Sequence, residues 1–151
     1  MSAPTHPAPP SMIDPANGTR VWLFDETATI LHQTVGPLTE SAARFITTDA
    51  DAVTRTRWVS QGRKITYLND WRLTQSYEAK GRELLIKWGK DSLKHTEHVW
   101  IQIAADAPGF IRVAVRTGIS VLKLLRMPID QSKDFTPLLA PLLSLTPVRL
   151  P

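Results

Sequence analysis

The sequence predicts an α/β protein, one domain with a mixed sheet of four to five strands and helices mainly on one face. Three observations predict it. Strand-length runs rich in β-branched and aromatic residues recur along the chain, and stretches with helical periodicity separate them. Such alternation implies βαβ crossovers. The length, 151 residues, suits a single domain, and 42% hydrophobic against 21% charged residues is enough to bury a core.

Residues 1–18 (MSAPTHPAPPSMIDPANG) carry five of the 12 prolines and read as a disordered leader. The domain is expected over 19–146, followed by a short tail at 147–151. Residues 20–27 (RVWLFDET) and 28–35 (ATILHQTV) read as two adjacent strands, with Asp25 and Glu26 at their connection. Gly36-Pro37 then punctuates. Thr39 can cap a helix carrying Ala42, Phe45, Ile46 and Val53 on one side. The helix either breaks at 47–51, where threonines and aspartates gather, or continues to Val59, and Gln61-Gly62 ends it.

Residues 64–69 (KITYLN) form a strand-length apolar run of the kind buried in a parallel sheet. Thr74 or Ser76 can cap the next helix, 77–92, whose stripe is Tyr77, Gly81, Leu84, Leu85 and Trp88. Residues 99–104 (VWIQIA) read as a strand. A third helix, 110–126, is apolar and basic, and Pro128 stops it. A short strand at 129–132 and a proline-interrupted helix at 138–145 complete the order.

Composition excludes several functions. With no cysteine, disulfides, thiolate metal sites and a cysteine nucleophile are absent. The net charge of +4 is too small to indicate a nucleic-acid partner. The seven glycines build neither a dinucleotide fingerprint nor a phosphate loop, so no cofactor is expected. No G-x-S-x-G precedes a helix, and the histidines (His6, His32, His95, His98) lack partners for a triad or a metal, so no catalytic or metal-ligating residue is assigned. No apolar stretch is long enough to span a bilayer, and the N-terminus has no basic start and no apolar core of a secretory signal. A cytoplasmic, non-enzymatic protein is expected.

Two surfaces attract attention instead. Trp71 follows Asp70 at a strand end, where side chains reach the ligand-facing rim of an open α/β sheet. Arg112, Arg116, Lys123 and Arg126 recur on one side of the third helix. Phe110, Val113, Val121, Leu124 and Leu125 supply its apolar side, which sheet packing would use. A helix so divided suits an acidic partner or peripheral contact with an anionic membrane.

The element order, together with residues 65–85 (ITYLNDWRLTQSYEAKGRELL), resembles the STAS domain, the fold of bacterial anti-sigma factor antagonists. Asp70 matches the family's strand-end aspartate, with Trp71-Arg72 in place of Leu-Ser. Glu78-Ala79-Lys80-Gly81 stands where the family has Asp-Ser-Ser-Gly. The resemblance looks closer to a divergent bacterial branch related to lipid-exchange (CRAL-TRIO) proteins, and as an element order it covers about 20–143. It implies a protein-interaction module in a regulatory system, using Asp70, Trp71, Thr74, Ser76, Lys80, Arg112, Arg116 and Lys123. Ala79 and Lys80 carry no hydroxyl, so the family's phosphoserine switch is expected to be missing. Thr74 and Ser76 are either modifiable or simple caps. The alternative is a module binding a small ligand or lipid in an apolar groove beneath the 110–126 helix.

Overall fold

A computed structural model describes residues 3–151. It is α/β, with a six-stranded mixed sheet whose spatial order equals its sequence order. The strands are β1 (Met12–Ile13), β2 (Arg20–Phe24), β3 (Thr29–Val35), β4 (Ile65–Leu73), β5 (Thr96–Ile103) and β6 (Ile129–Gln131). The first three are antiparallel neighbours, and β3 to β6 run parallel. The helices are α1 (Glu40–Arg44), α2 (Asp51–Arg57), α3 (Ala79–Ser92), α4 (Gly109–Leu124) and α5 (Thr136–Leu139).

The period-two alternation of each strand sorts its side chains between two faces. One row across the sheet pairs Leu23, Ile30, Tyr67, Val99 and Ile129 in register, and this face carries the larger core. Phe45 and Ile46 pack on it, as do Ile111, Val115 and Leu122 of α4. The opposite face carries the row Trp22, Leu31, Leu68 and Trp100. No long helix covers it. Phe135 and Leu142 do so from the C-terminal side, and His6 packs against Phe24 with ring centroids 5.2 Å apart.

Residues 3–18 are therefore not a loose leader, which corrects that expectation. His6 is only 2% exposed. Its Nδ1 accepts from the Ala8 N–H at 3.1 Å, so Nε2 carries the proton and donates to the Leu142 carbonyl, also at 3.1 Å. The Trp22 indole donates to the Ala8 carbonyl at 2.8 Å. Met12–Ile13 adds a sixth strand to the expected four or five. Nor do residues 147–151 hang free: the Val148 N–H bonds the Leu23 carbonyl at 2.8 Å, and Val148 and Leu150 pack on the larger core.

The first helical stretch takes both courses left open by its sequence. Thr39 caps α1, its hydroxyl accepting from the Ala42 N–H at 3.1 Å. Residues Phe45–Ala50 then widen into a π-helix, which passes into α2. The β-branched run Ile46-Thr47-Thr48 crowds a regular turn, and the wider one relieves it. Gly62 closes the stretch at φ +75°. Asp25, in the β2–β3 turn, accepts from Arg57 and from the Trp58 indole, tying the hairpin to the end of α2.

Candidate ligand-binding site

β4 runs on through Asp70 and Trp71 to Leu73, so the strand-end reading of these residues is corrected. Alternation sends the two side chains to opposite faces of the sheet. Asp70 is fully buried on the face covered by the N-terminal segment. Arg72 grips it through Nε at 2.9 Å and Nη2 at 2.8 Å, and the Thr5 hydroxyl donates to it as well. Burial pushes the Asp70 carboxyl up, and the bonds from Arg72 and Thr5 together outweigh that, holding it below the usual carboxylate range. Asp70 thereby ties the N-terminal segment to the sheet.

Trp71 faces the other way, into a cavity of about 110 Å³ between α3, α4 and the sheet. Ile101 and Ile129 of the sheet, Leu85 and Trp88 of α3, and Val115 and Ile119 of α4 are among its apolar walls. Glycines shape it. At Gly89 a Cβ would meet the Leu122 side chain at 3.0 Å, so α3 and α4 close on each other there. One turn nearer the start of α4, a Cβ on Gly118 would meet nothing within 4 Å. The cavity persists where the sequence withholds that side chain.

Its polar atoms are few. Trp71 Nε1, Thr74 Oγ1, Arg82 Nε and Ser92 Oγ are buried without hydrogen-bond partners, and all four residues line the cavity. Each unmatched buried polar atom costs about 1–3 kcal/mol. Arg82 is the only charged residue in the lining, and no carboxylate of the lining answers it. The indoles of Trp22, Trp58 and Trp88 all have acceptors, which makes the bare Trp71 N–H distinctive. The Trp71–Thr74–Arg82 group sits by topology at the carboxyl ends of the parallel strands and beside the start of α3, the usual ligand position in an open α/β sheet.

A polar cluster supports the rear wall. His32 is wholly buried beside Asn69, which itself lines the cavity, and its Nδ1–H donates to Asn69 Oδ1 at 3.1 Å. Trp88 stands edge-on to Tyr67 at 5.1 Å and donates to Asp51 at 2.9 Å. Burial pulls His32 down to about 4 and pushes the Tyr67 hydroxyl above its ordinary value.

The remaining expected site residues scatter. Neither Thr74 nor Ser76 caps α3: the N-cap is Glu78, whose carboxylate instead accepts from the Glu40 N–H at the start of α1 at 3.2 Å. Lys80 is exposed, 3.8 Å from Glu83. Lys123 is held by Asp130 at 3.0 Å. Arg112 and Arg116 are exposed on the outer side of α4. The apolar side of that helix is the main correction. Ile111, Val115 and Leu122 face inward, whereas Phe110, Val113 and Leu124 (53%, 60% and 85% exposed) form an outer ridge. Sequence reasoning missed Arg82 and Gly118. The available signal was a cation on the sheet-facing side of α3 and a glycine inside an otherwise continuous helix.

Among the described residues no histidine and carboxylate group could hold a metal, and no helix is long and apolar enough to cross a membrane. No family model matches the chain, and no curated protein matches it.

Proposed function

We propose that the chain is a non-catalytic, STAS-like binding module that holds a small, largely apolar ligand between α3, α4 and the sheet. The observation that carries this reading is the apolar cavity kept open at Gly118. Small-molecule sites are concave and mostly apolar with a few polar groups, which is the character of this lining. The STAS-like part rests on the element order and on helices α1 to α4 sharing one face. The ligand part agrees with the groove expected beneath the third helix.

Thermal denaturation with toluene or indole as probe tests the reading. A ligand that binds only the folded state raises the midpoint, by an amount that grows with the logarithm of its concentration over Kd. The wild-type midpoint is expected to rise with at least one probe. Gly118→Leu, which fills the space, is expected to melt no lower than wild type and to lose the response. No shift with either probe, or an equal shift in Gly118→Leu, overturns the cavity as the site.

A second reading has its own observation, the outer face of α4. Phe110, Val113 and Leu124 form an apolar ridge, and Arg112 and Arg116 lie beside it. An acidic partner protein in a bacterial, cytoplasmic regulatory system would fit this face. Asp70, Trp71 and Thr74 take no part in that contact, because their polar groups are turned inward.

A further inference from the structure

We infer that the occupant is a compact carboxylate: an apolar body about the size of a six-membered ring, carrying one carboxylate at the Trp71–Thr74–Arg82 end. The inference rests on the cavity being the site and adds the chemistry of its occupant. Four residues of the lining carry a buried polar atom without a partner, Trp71 Nε1, Thr74 Oγ1, Arg82 Nε and Ser92 Oγ, and two of these, Trp71 Nε1 and Arg82 Nε, can only donate. Thr74 Oγ1 and Ser92 Oγ donate or accept, and their residues are only 7% and 1% exposed.

A site with two obligate donors, one of them cationic, and no carboxylate in its lining calls for an anion with several acceptor lone pairs. A carboxylate has two oxygens and accepts from guanidinium in a fork, with charge assistance that a neutral amide or alcohol lacks. A doubly charged phosphate would leave net negative charge in an apolar slot with a single cation to meet it. The rest of the lining selects the body. It is mostly apolar, Ile101, Ile111, Val115 and Ile119 among it, with Ser92 Oγ as one further unpartnered polar atom, so a body carrying several hydroxyls would be desolvated with little return. Size sets the upper limit. An engineered apolar cavity of about 150 Å³ takes benzene, so the smaller space of about 110 Å³ holds at most a single ring or a short branched chain, and a long acyl chain would have to extend out of it into solvent.

Isothermal titration of the full chain with benzoate, benzamide, toluene and dodecanoate tests this, using wild type, Arg82→Met and Trp71→Phe. Trp71→Phe keeps an aromatic ring while removing the N–H together with part of the indole, so it serves if Arg82→Met fails to fold. Benzoate is expected to bind one to one and at least about tenfold tighter than benzamide. Each variant is expected to weaken benzoate several-fold or more and to change toluene binding by much less than it changes benzoate. Benzamide or toluene binding as tightly as benzoate, or full benzoate affinity in both variants, overturns the carboxylate while the cavity stands. Dodecanoate binding tightest overturns the size limit. Binding of none of the four overturns the cavity and the carboxylate together.

Discussion

His32 lies in the core without charge. Burial holds its pKa at about 4, against an ordinary value near 6.5 in the unfolded chain. Between those values the unfolded state binds a proton that the folded state refuses, so stability falls as pH drops from 6.5 toward 4. The full contribution is present above pH 6.5, and the loss amounts to about 3 kcal/mol across the window. His95, also lowered by burial, acts in the same direction. Asp25, Asp70 and Asp130 have lowered pKa values and lose their contributions only below about pH 4, outside this window. Urea denaturation from pH 4.5 to 7 is expected to show the slope, and His32→Gln is expected to flatten most of it. An unchanged slope in the variant would assign the effect to other groups.

At the scale of elements, α4 divides the two functional readings. Its inward residues Ile111, Val115 and Leu122 support both the core and the cavity, whereas Val113 and Leu124 are largely exposed. Ile111→Asp is expected to unfold the protein, because an unpaired buried carboxylate costs several kcal/mol. Val113→Asp and Leu124→Asp are expected to leave circular dichroism and midpoint nearly unchanged, within about 0.5 kcal/mol. If the outer ridge is an interface, the same two changes abolish capture of an acidic partner, as do Arg112→Glu and Arg116→Glu.

The same helix shows how far the sequence could be read. Its existence and limits follow from the apolar run and Pro128. Its rotation does not, since apolar residues occur all round the helix and periodicity selects no single stripe. β2 to β5 were legible because each is a compact β-branched or aromatic run. β1 was not, because two residues carry no period. The cavity was legible only as a groove beneath α4. Its shape depends on side chains that are missing at Gly89 and Gly118, and its polar residues come from different elements, Trp71 from β4 and Arg82 from α3. The leader was misread because proline-rich composition says nothing of one buried histidine and the acceptors it finds.

At the scale of the whole molecule, the two ends of the chain close one face of the sheet. Leu142 receives the His6 hydrogen bond, Ala8 receives the Trp22 indole, and Thr5 reaches Asp70. Deleting residues 1–10 uncovers Trp22 and Phe24 and leaves the Trp22 N–H and the Leu142 carbonyl without these partners. The deletion is expected to cost about 2–4 kcal/mol, from lost apolar burial and unmatched polar groups, and urea denaturation measures it. An unchanged midpoint would mean that the segment contributes no net stability.

The strand order bears on how the protein is made. Each strand pairs with the one synthesised just before it, so the sheet can grow one edge at a time as the chain leaves the ribosome. The helices between strands cover one face as it forms. Trp22, Leu31 and Leu68 on the other face wait for Phe135 and Leu142. A nascent chain of about 130 residues therefore carries a nearly complete sheet with one aromatic face covered only by its N-terminal segment, the kind of surface that chaperones grip and that aggregation exploits.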